Sequence, residues 1–220
     1  MDSETIRQIT IYAIPLIFAI TLHEAAHAFA ARYFGDGTAY MLGRMTLNPL
    51  KHIDPVWTIA VPLVLLMLPG SFLLGAAKPV PVNFGALRDP KRDSVWVAAA
   101  GPAANLLMMI AWAILLKMVL SIDTAVDLTE PIWFLREMAK AGVAVNLMLM
   151  IFNLFPLLPL DGGRIVAGLL PNRLSYQYAR LEPYGMFIII ALVVSHVLDP
   201  VFGPLVYFGE KAVYSAIGIS

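Results

Sequence analysis

The chain has 220 residues, of which 60% are hydrophobic and only 14% charged, with a formal net charge of zero and no cysteine. Soluble domains carry about 25% charged residues, so an ordinary soluble surface is excluded and lipid must cover much of this one. Neutrality argues against a nucleic-acid partner, and the lack of cysteine removes disulfides, thiolate ligands and thiol nucleophiles together.

A transmembrane helix needs about 20 mostly apolar residues. The first such run is 6–34. It is preceded by Asp2, Glu4 and Arg7 rather than by a basic leader, and so reads as a retained membrane helix. Within it stands His23-Glu24-Ala25-Ala26-His27. On a helix, residues i and i+4 share a face about 6 Å apart along the axis. Two imidazoles at that spacing can grip one tetrahedral zinc, and the adjacent carboxylate can deprotonate a water. A solvated helix face is the ordinary explanation of such a motif. It fails here because ionisable groups inside a bilayer are costly and usually have a partner or a function. The alanines around the motif let other helices approach closely.

The second run, 56–77, is broken by Pro62, Pro69, Gly70 and Gly75. The flanking segments 35–55 and 78–93 are both basic, as is 171–183, whereas 121–137 is acidic. Lys and Arg favour the cytoplasmic side. That rule turns the N-terminus and 121–137 outward and makes 56–77 a re-entrant hairpin rather than a plain span. Lys78-Pro79-Val80-Pro81-Val82-Asn83 alternates proline and valine and must be extended. It is either an ordinary loop or a β-like edge whose Val80 and Val82 pair with substrate backbone.

The third run, 95–120, contains Gly101, Pro102 and Asn105 near its start. The fourth, 139–170, is interrupted by Pro156, Pro159, Gly162 and Gly163, and Asp161 lies in the break. A fifth covers 184–198, and 200–219 is a sixth, short or interfacial element broken by Gly203 and Pro204. The fold class is therefore an all-α multi-pass membrane protein of five to six transmembrane or re-entrant segments, with one short extended stretch. There is no internal repeat. Residues 1–220 read as a single membrane-embedded domain, with its core at 6–170 and helical segments at 184–220.

Catalytic zinc usually has three protein ligands and an open position. His196 lies near a helix end without a motif, and His52 lies in a polar loop. Asp161 follows two prolines and precedes two glycines, so it is either a helix N-cap or the third ligand; a cap alone leaves the metal one ligand short.

HEAAH on a first membrane helix with Asn153-Leu154-Phe155-Pro156-Leu157-Leu158-Pro159-Leu160-Asp161-Gly162-Gly163 on a later one resembles the site-2 protease family of intramembrane zinc metalloproteases, peptidase family M50. The resemblance extends to residues 43–55, to the KPVPVN stretch and to Gly101-Pro102-Ala103-Ala104-Asn105. It implies one zinc per chain on His23, His27 and Asp161, with Glu24 as the general base. It implies a role for Asn153 in positioning substrate or stabilising the oxyanion. Asn105 matches an asparagine that either supports the site from behind or meets substrate. Leu158 departs from a proline common among relatives. With no room for PDZ or CBS domains, the chain resembles the compact form. Its expected partners are transmembrane protein substrates and the lipid bilayer, in the cell membrane, with the active site towards the cytoplasm. The oligomeric state is open. A metal transporter would also use intramembrane His and Asp, but has no need of Glu24 beside His23. A pseudoprotease that only binds membrane helices would not need the intact motif.

Overall fold

The computed structural model describes residues 3–52, 78–123 and 130–219. The expectation for 56–77 lies outside them. Among the described residues the chain is all-helical. Helix α1 (Ser3–Tyr33) is followed by the one-turn α2 (Thr38–Met41), then α3 (Pro90–Asp123), α4 (Glu130–Asn153), α5 (Asp161–Leu169), α6 (Asn172–Ala179), α7 (Glu182–Val194) and α8 (Asp199–Ala216).

Two helices, at Ile6–Tyr33 and Pro90–Ile122, are long and apolar enough to cross a membrane. A third span results if α6 and α7, bent by 62°, count as one. Their outer faces are apolar: Ile14, Ile17 and Phe18 on α1 and Leu107, Ile110 and Ile114 on α3 are all exposed. Unpaired apolar faces of this extent suit lipid rather than water.

The expected fourth segment, 139–170, is instead two helices. α4 starts earlier, at Glu130, and ends at Asn153, and α5 starts at Asp161. Pro156 and Pro159 cannot donate to a helical ladder, so the chain between them is irregular. Glu130, Arg136, Glu137 and Lys140 crowd the first half of α4, which leaves its apolar half short. The last expected element is one helix, running through Gly203 and Pro204 without a break.

α3 and α4 pack on each other most extensively, and α1 lies against both. Small residues allow this. Ala25, Ala28 and Ala31 of α1 are buried, and a side chain at Gly142 of α4 would run into the Trp112 ring of α3. α5 packs on α3, and α8 on α4.

The two basic segments meet at the C-terminal end of α1. Lys78 N–H donates to His52 O (2.9 Å), and Arg44 donates to Lys78 O (3.0 Å). Arg88 donates to Phe34 O and Tyr33 O. Asp36, 1% exposed, accepts from the Thr38 N–H and hydroxyl and from the Asn83 N–H. Burial alone would raise its carboxyl, but these hydrogen bonds outweigh burial and hold it below the ordinary value.

Candidate metal centre

α1 brings His23 and His27 onto one face, with ring centroids 4.7 Å apart and planes at 83°. The rings lie in a recess that Gly101 of α3 leaves open. A Cβ at 101 would occupy the place of the His27 ring and stand 2.6 Å from the His23 ring. Each ring is then held by its Nδ1. His27 Nδ1–H donates to the Val97 carbonyl of α3 (2.7 Å), a group that can only accept. His23 Nδ1–H donates to Asn105 Oδ1 (2.6 Å).

Both Nδ1 protons therefore point away from the centre, and in the neutral rings both Nε2 lone pairs point into it. The Nε2 atoms are 3.1 Å apart. Asp161 Oδ2 lies 3.3 Å from each. It is buried and has no hydrogen-bond donor among the described residues. With both rings neutral, the two 3.3 Å contacts set acceptor against acceptor, which a cation between them relieves. His23, His27 and Asp161 are also the one group among the described residues whose ligand atoms come close enough to share a metal ion.

Three converging electron pairs repel unless a cation sits among them. Tetrahedral ligands about 2.0–2.1 Å from zinc stand about 3.3 Å from one another, which fits the observed triangle. Two nitrogens and one carboxylate oxygen also match the donor set of catalytic zinc.

Asp161 reaches this triangle from an irregular turn. It is the first residue of α5, not its N-cap, which is Leu160. The positive end of the helix dipole favours a carboxylate there. The glycines after it allow the chain to double back: a Cβ at Gly162 would enter the Leu154 carbonyl, and one at Gly163 would enter the backbone at Leu157 and Leu158. Gly185 of α7 leaves room for the Leu158 carbonyl, and Tyr178 O–H donates to Pro156 O (2.9 Å). Arg164 pairs with Glu182 (2.8 Å) and lies over the Phe84 ring.

Glu24, half-buried, accepts the Val80 N–H on Oε2 (2.7 Å). The 78–83 stretch forms neither helix nor strand. Val80 cannot offer its N–H to a substrate while it holds Glu24, and its side chain is buried against Ala28 and Ala39. Val82 packs on Ala31, Leu87 and Val97. The stretch lies as a strap over α1 in which Glu24 takes the Val80 N–H.

Asn105 is fully buried behind His23, and its amide is spent on protein groups. Asn153 ends α4 and donates to Leu149 O (2.9 Å). His196 lies away from the centre, exposed and bonded to Asp199 (2.8 Å). His52 is buried and bonds to Thr46 O. Two contributors went unassigned by sequence reasoning: Gly101, whose missing side chain makes the ring recess, and Val97, which acts through its backbone and so leaves no side-chain signal.

The family model described as peptidase family M50 matches residues 132–196. The chain is 36% identical over 215 residues to the Bacillus subtilis protein named "Putative zinc metalloprotease YwhC", covering 93% of this chain and 90% of that one. It is 29% identical over 198 residues to "Putative zinc metalloprotease Rip2" of Mycolicibacterium smegmatis, covering 87% of this chain and 70% of the relative. Rip2 of Mycobacterium tuberculosis is 31% identical over 182 residues, 81% of this chain and 63% of the relative. No solved structure gives a significant match.

Proposed function

The chain belongs to peptidase family M50 and so is a metallopeptidase, and from that premise we propose that it holds one zinc ion on His23, His27 and Asp161 and hydrolyses peptide bonds of transmembrane substrates with Glu24 as general base. One observation carries the metal assignment. Two histidine Nε2 atoms and Asp161 Oδ2 face one another at 3.1–3.3 Å, while both Nδ1 atoms are engaged by groups outside the triangle. The relatives named zinc metalloproteases make zinc the cation of choice.

Zinc, when bound, polarises the scissile carbonyl and acidifies water. The chain's own residues do the rest. Val80 N–H fixes one Glu24 oxygen and leaves the other to take a proton from the attacking water. Glu24 then delivers that proton to the leaving amine. Asn153, near the turn that carries Asp161, is the candidate to hold the substrate carbonyl, and Val82 the remaining candidate donor along the strap. A helical substrate hides its amides in internal hydrogen bonds and must unwind before cleavage.

The surroundings favour a substrate in the bilayer. The centre lies on two helices with exposed apolar faces. We read residues 1–220 as one membrane-embedded unit of five to six membrane segments in the cell membrane. The end of α1 nearest the histidines carries Arg44, Lys51, Lys78 and Arg88, which favours the cytoplasmic side for the active site.

The test is purified protein assayed for zinc content and for cleavage of a model transmembrane substrate. One zinc per chain and cleavage abolished by Glu24→Gln are expected. Folded, zinc-loaded wild type that cleaves no membrane substrate would overturn the reading.

A further inference from the structure

Asn146 was not among the residues that the sequence motifs single out, yet it is completely buried in α4 and hydrogen-bonded to the group behind a proposed ligand. We propose that Asn146 is a positioning residue of the metal centre, which through Asn105 sets the tautomer and orientation of the His23 ring. The inference rests on the zinc reading above and adds a residue to it.

The argument is one of hydrogen-bond direction. Asn146 Nδ2 donates to the Gly142 carbonyl one turn earlier (2.8 Å), and a carbonyl can only accept. That contact settles which end of the Asn146 amide is which, and it aims Oδ1 at α3. Asn146 Oδ1 can only accept, so it takes a hydrogen from Asn105 Nδ2 (3.1 Å), which also approaches the Ala19 carbonyl of α1 (3.4 Å). Both acceptors hold Asn105 with its own oxygen turned to His23. His23 must then carry a proton on Nδ1, and the neutral ring presents a bare Nε2 to the centre.

The sequence of contacts from Gly142 to His23 has one polarity from end to end, and it joins α4, α3 and α1. His27 needs no such relay because a backbone carbonyl faces its Nδ1 directly. Without Asn146, the amide of Asn105 could turn over and offer N–H to the His23 ring, which favours the opposite tautomer and puts a proton where the metal belongs. Partners behind a ligating histidine typically contribute about 10–100-fold to metal affinity. Asn146 acts one bond further back, and a loss of about tenfold, at the low end of that range, is expected.

Asn146→Leu keeps the number and branching of heavy atoms and removes both hydrogen bonds. Asn146→Thr is the conservative variant, because a threonine hydroxyl in a helix donates to the carbonyl four residues earlier and can accept from Asn105. Zinc affinity is measured by chelator competition on the full chain in detergent, alongside the absorption spectrum of the Co²⁺-loaded protein and the melting of the metal-free form. Expected results are about tenfold weaker zinc binding and a changed cobalt spectrum for Asn146→Leu, with both restored by Asn146→Thr. Asn105→Ala/Asn146→Leu should bind no more weakly than Asn105→Ala alone. If Asn146→Leu is not recovered folded, Asn146→Ala is read in its place. Wild-type affinity and spectrum in the apolar variant, a threonine variant as weak as leucine, or additive losses in the double variant would each overturn the proposal. Wild type that binds no zinc would overturn the metal reading as well, whereas zinc-binding wild type with an unaffected Asn146→Leu overturns this inference alone.

Discussion

The metal centre has two halves built on different principles. The α1 half is one continuous helix, and spacing alone brings His23 and His27 onto one face. The turn half, 154–161, is irregular, and its path is dictated by contacts with other elements. Gly162 and Gly163 admit its backbone, Gly185 of α7 accepts the Leu158 carbonyl, and Tyr178 of α6 anchors Pro156. A helix can carry ligands because it is rigid by itself. A turn can carry one only when its neighbours hold it.

The largest expected effect separates the halves by chemistry. Glu24→Gln should cut proteolysis by at least about 10²–10⁴-fold while zinc content stays at wild-type level, since Glu24 is not proposed as a ligand. Asp161→Ala should lose zinc and activity together. Metal analysis beside a transmembrane-substrate cleavage assay decides it; zinc retained in Asp161→Ala would detach the turn from the centre.

Next come the glycines that each half depends on. Gly101→Ala places a methyl group where the histidine rings stand, so zinc should fall sharply with little change in the turn. Gly185→Ala pushes on the Leu158 carbonyl. Overpacking of this kind costs about 1–3 kcal/mol, so thermal melting should drop first and metal only as far as Asp161 moves. Equal zinc loss with unchanged melting in both variants would erase the distinction.

Tyr178→Phe removes one hydrogen bond to the turn, from a half-buried residue. A loss at the low end of about 0.5–1.5 kcal/mol is expected in chemical or thermal unfolding, with zinc stoichiometry intact.

The smallest effect concerns Asp36, which ties the 78–83 strap to the end of α1. Its folded carboxyl lies below the ordinary value of 3.8. Its stabilising contribution is therefore full above that value and is lost as pH falls through the lowered folded value. Acid unfolding of Asp36→Asn should lack this component. An acid limb identical to wild type would show that the strap is held by other contacts.

Much of the helical half was legible from residue order. The i, i+4 spacing of His23 and His27 and the apolar runs around 6–34 and 95–120 state a local geometry that the chain adopts on its own. Asp161 was legible as a ligand candidate because an acid in an apolar segment is costly, but not how it reaches the histidines. Prolines 79 and 81 marked the 78–83 stretch as non-helical, since proline restricts backbone angles locally. That it lies across Glu24 instead of offering a free edge was not legible, because the partner is 56 residues away in sequence.

Residue types and their spacing thus determined a zinc-type donor set, a carboxylate beside it and a membrane setting, since these follow from local periodicity and from the cost of burying charge. Tertiary structure alone decided how Asp161 closes the triangle, that Gly101 makes room for the rings, and that Val97, Asn105 and Asn146 set their protons. Those are relations between atoms on separate helices, and hydrogen-bond direction across an interface is fixed only when the helices have packed.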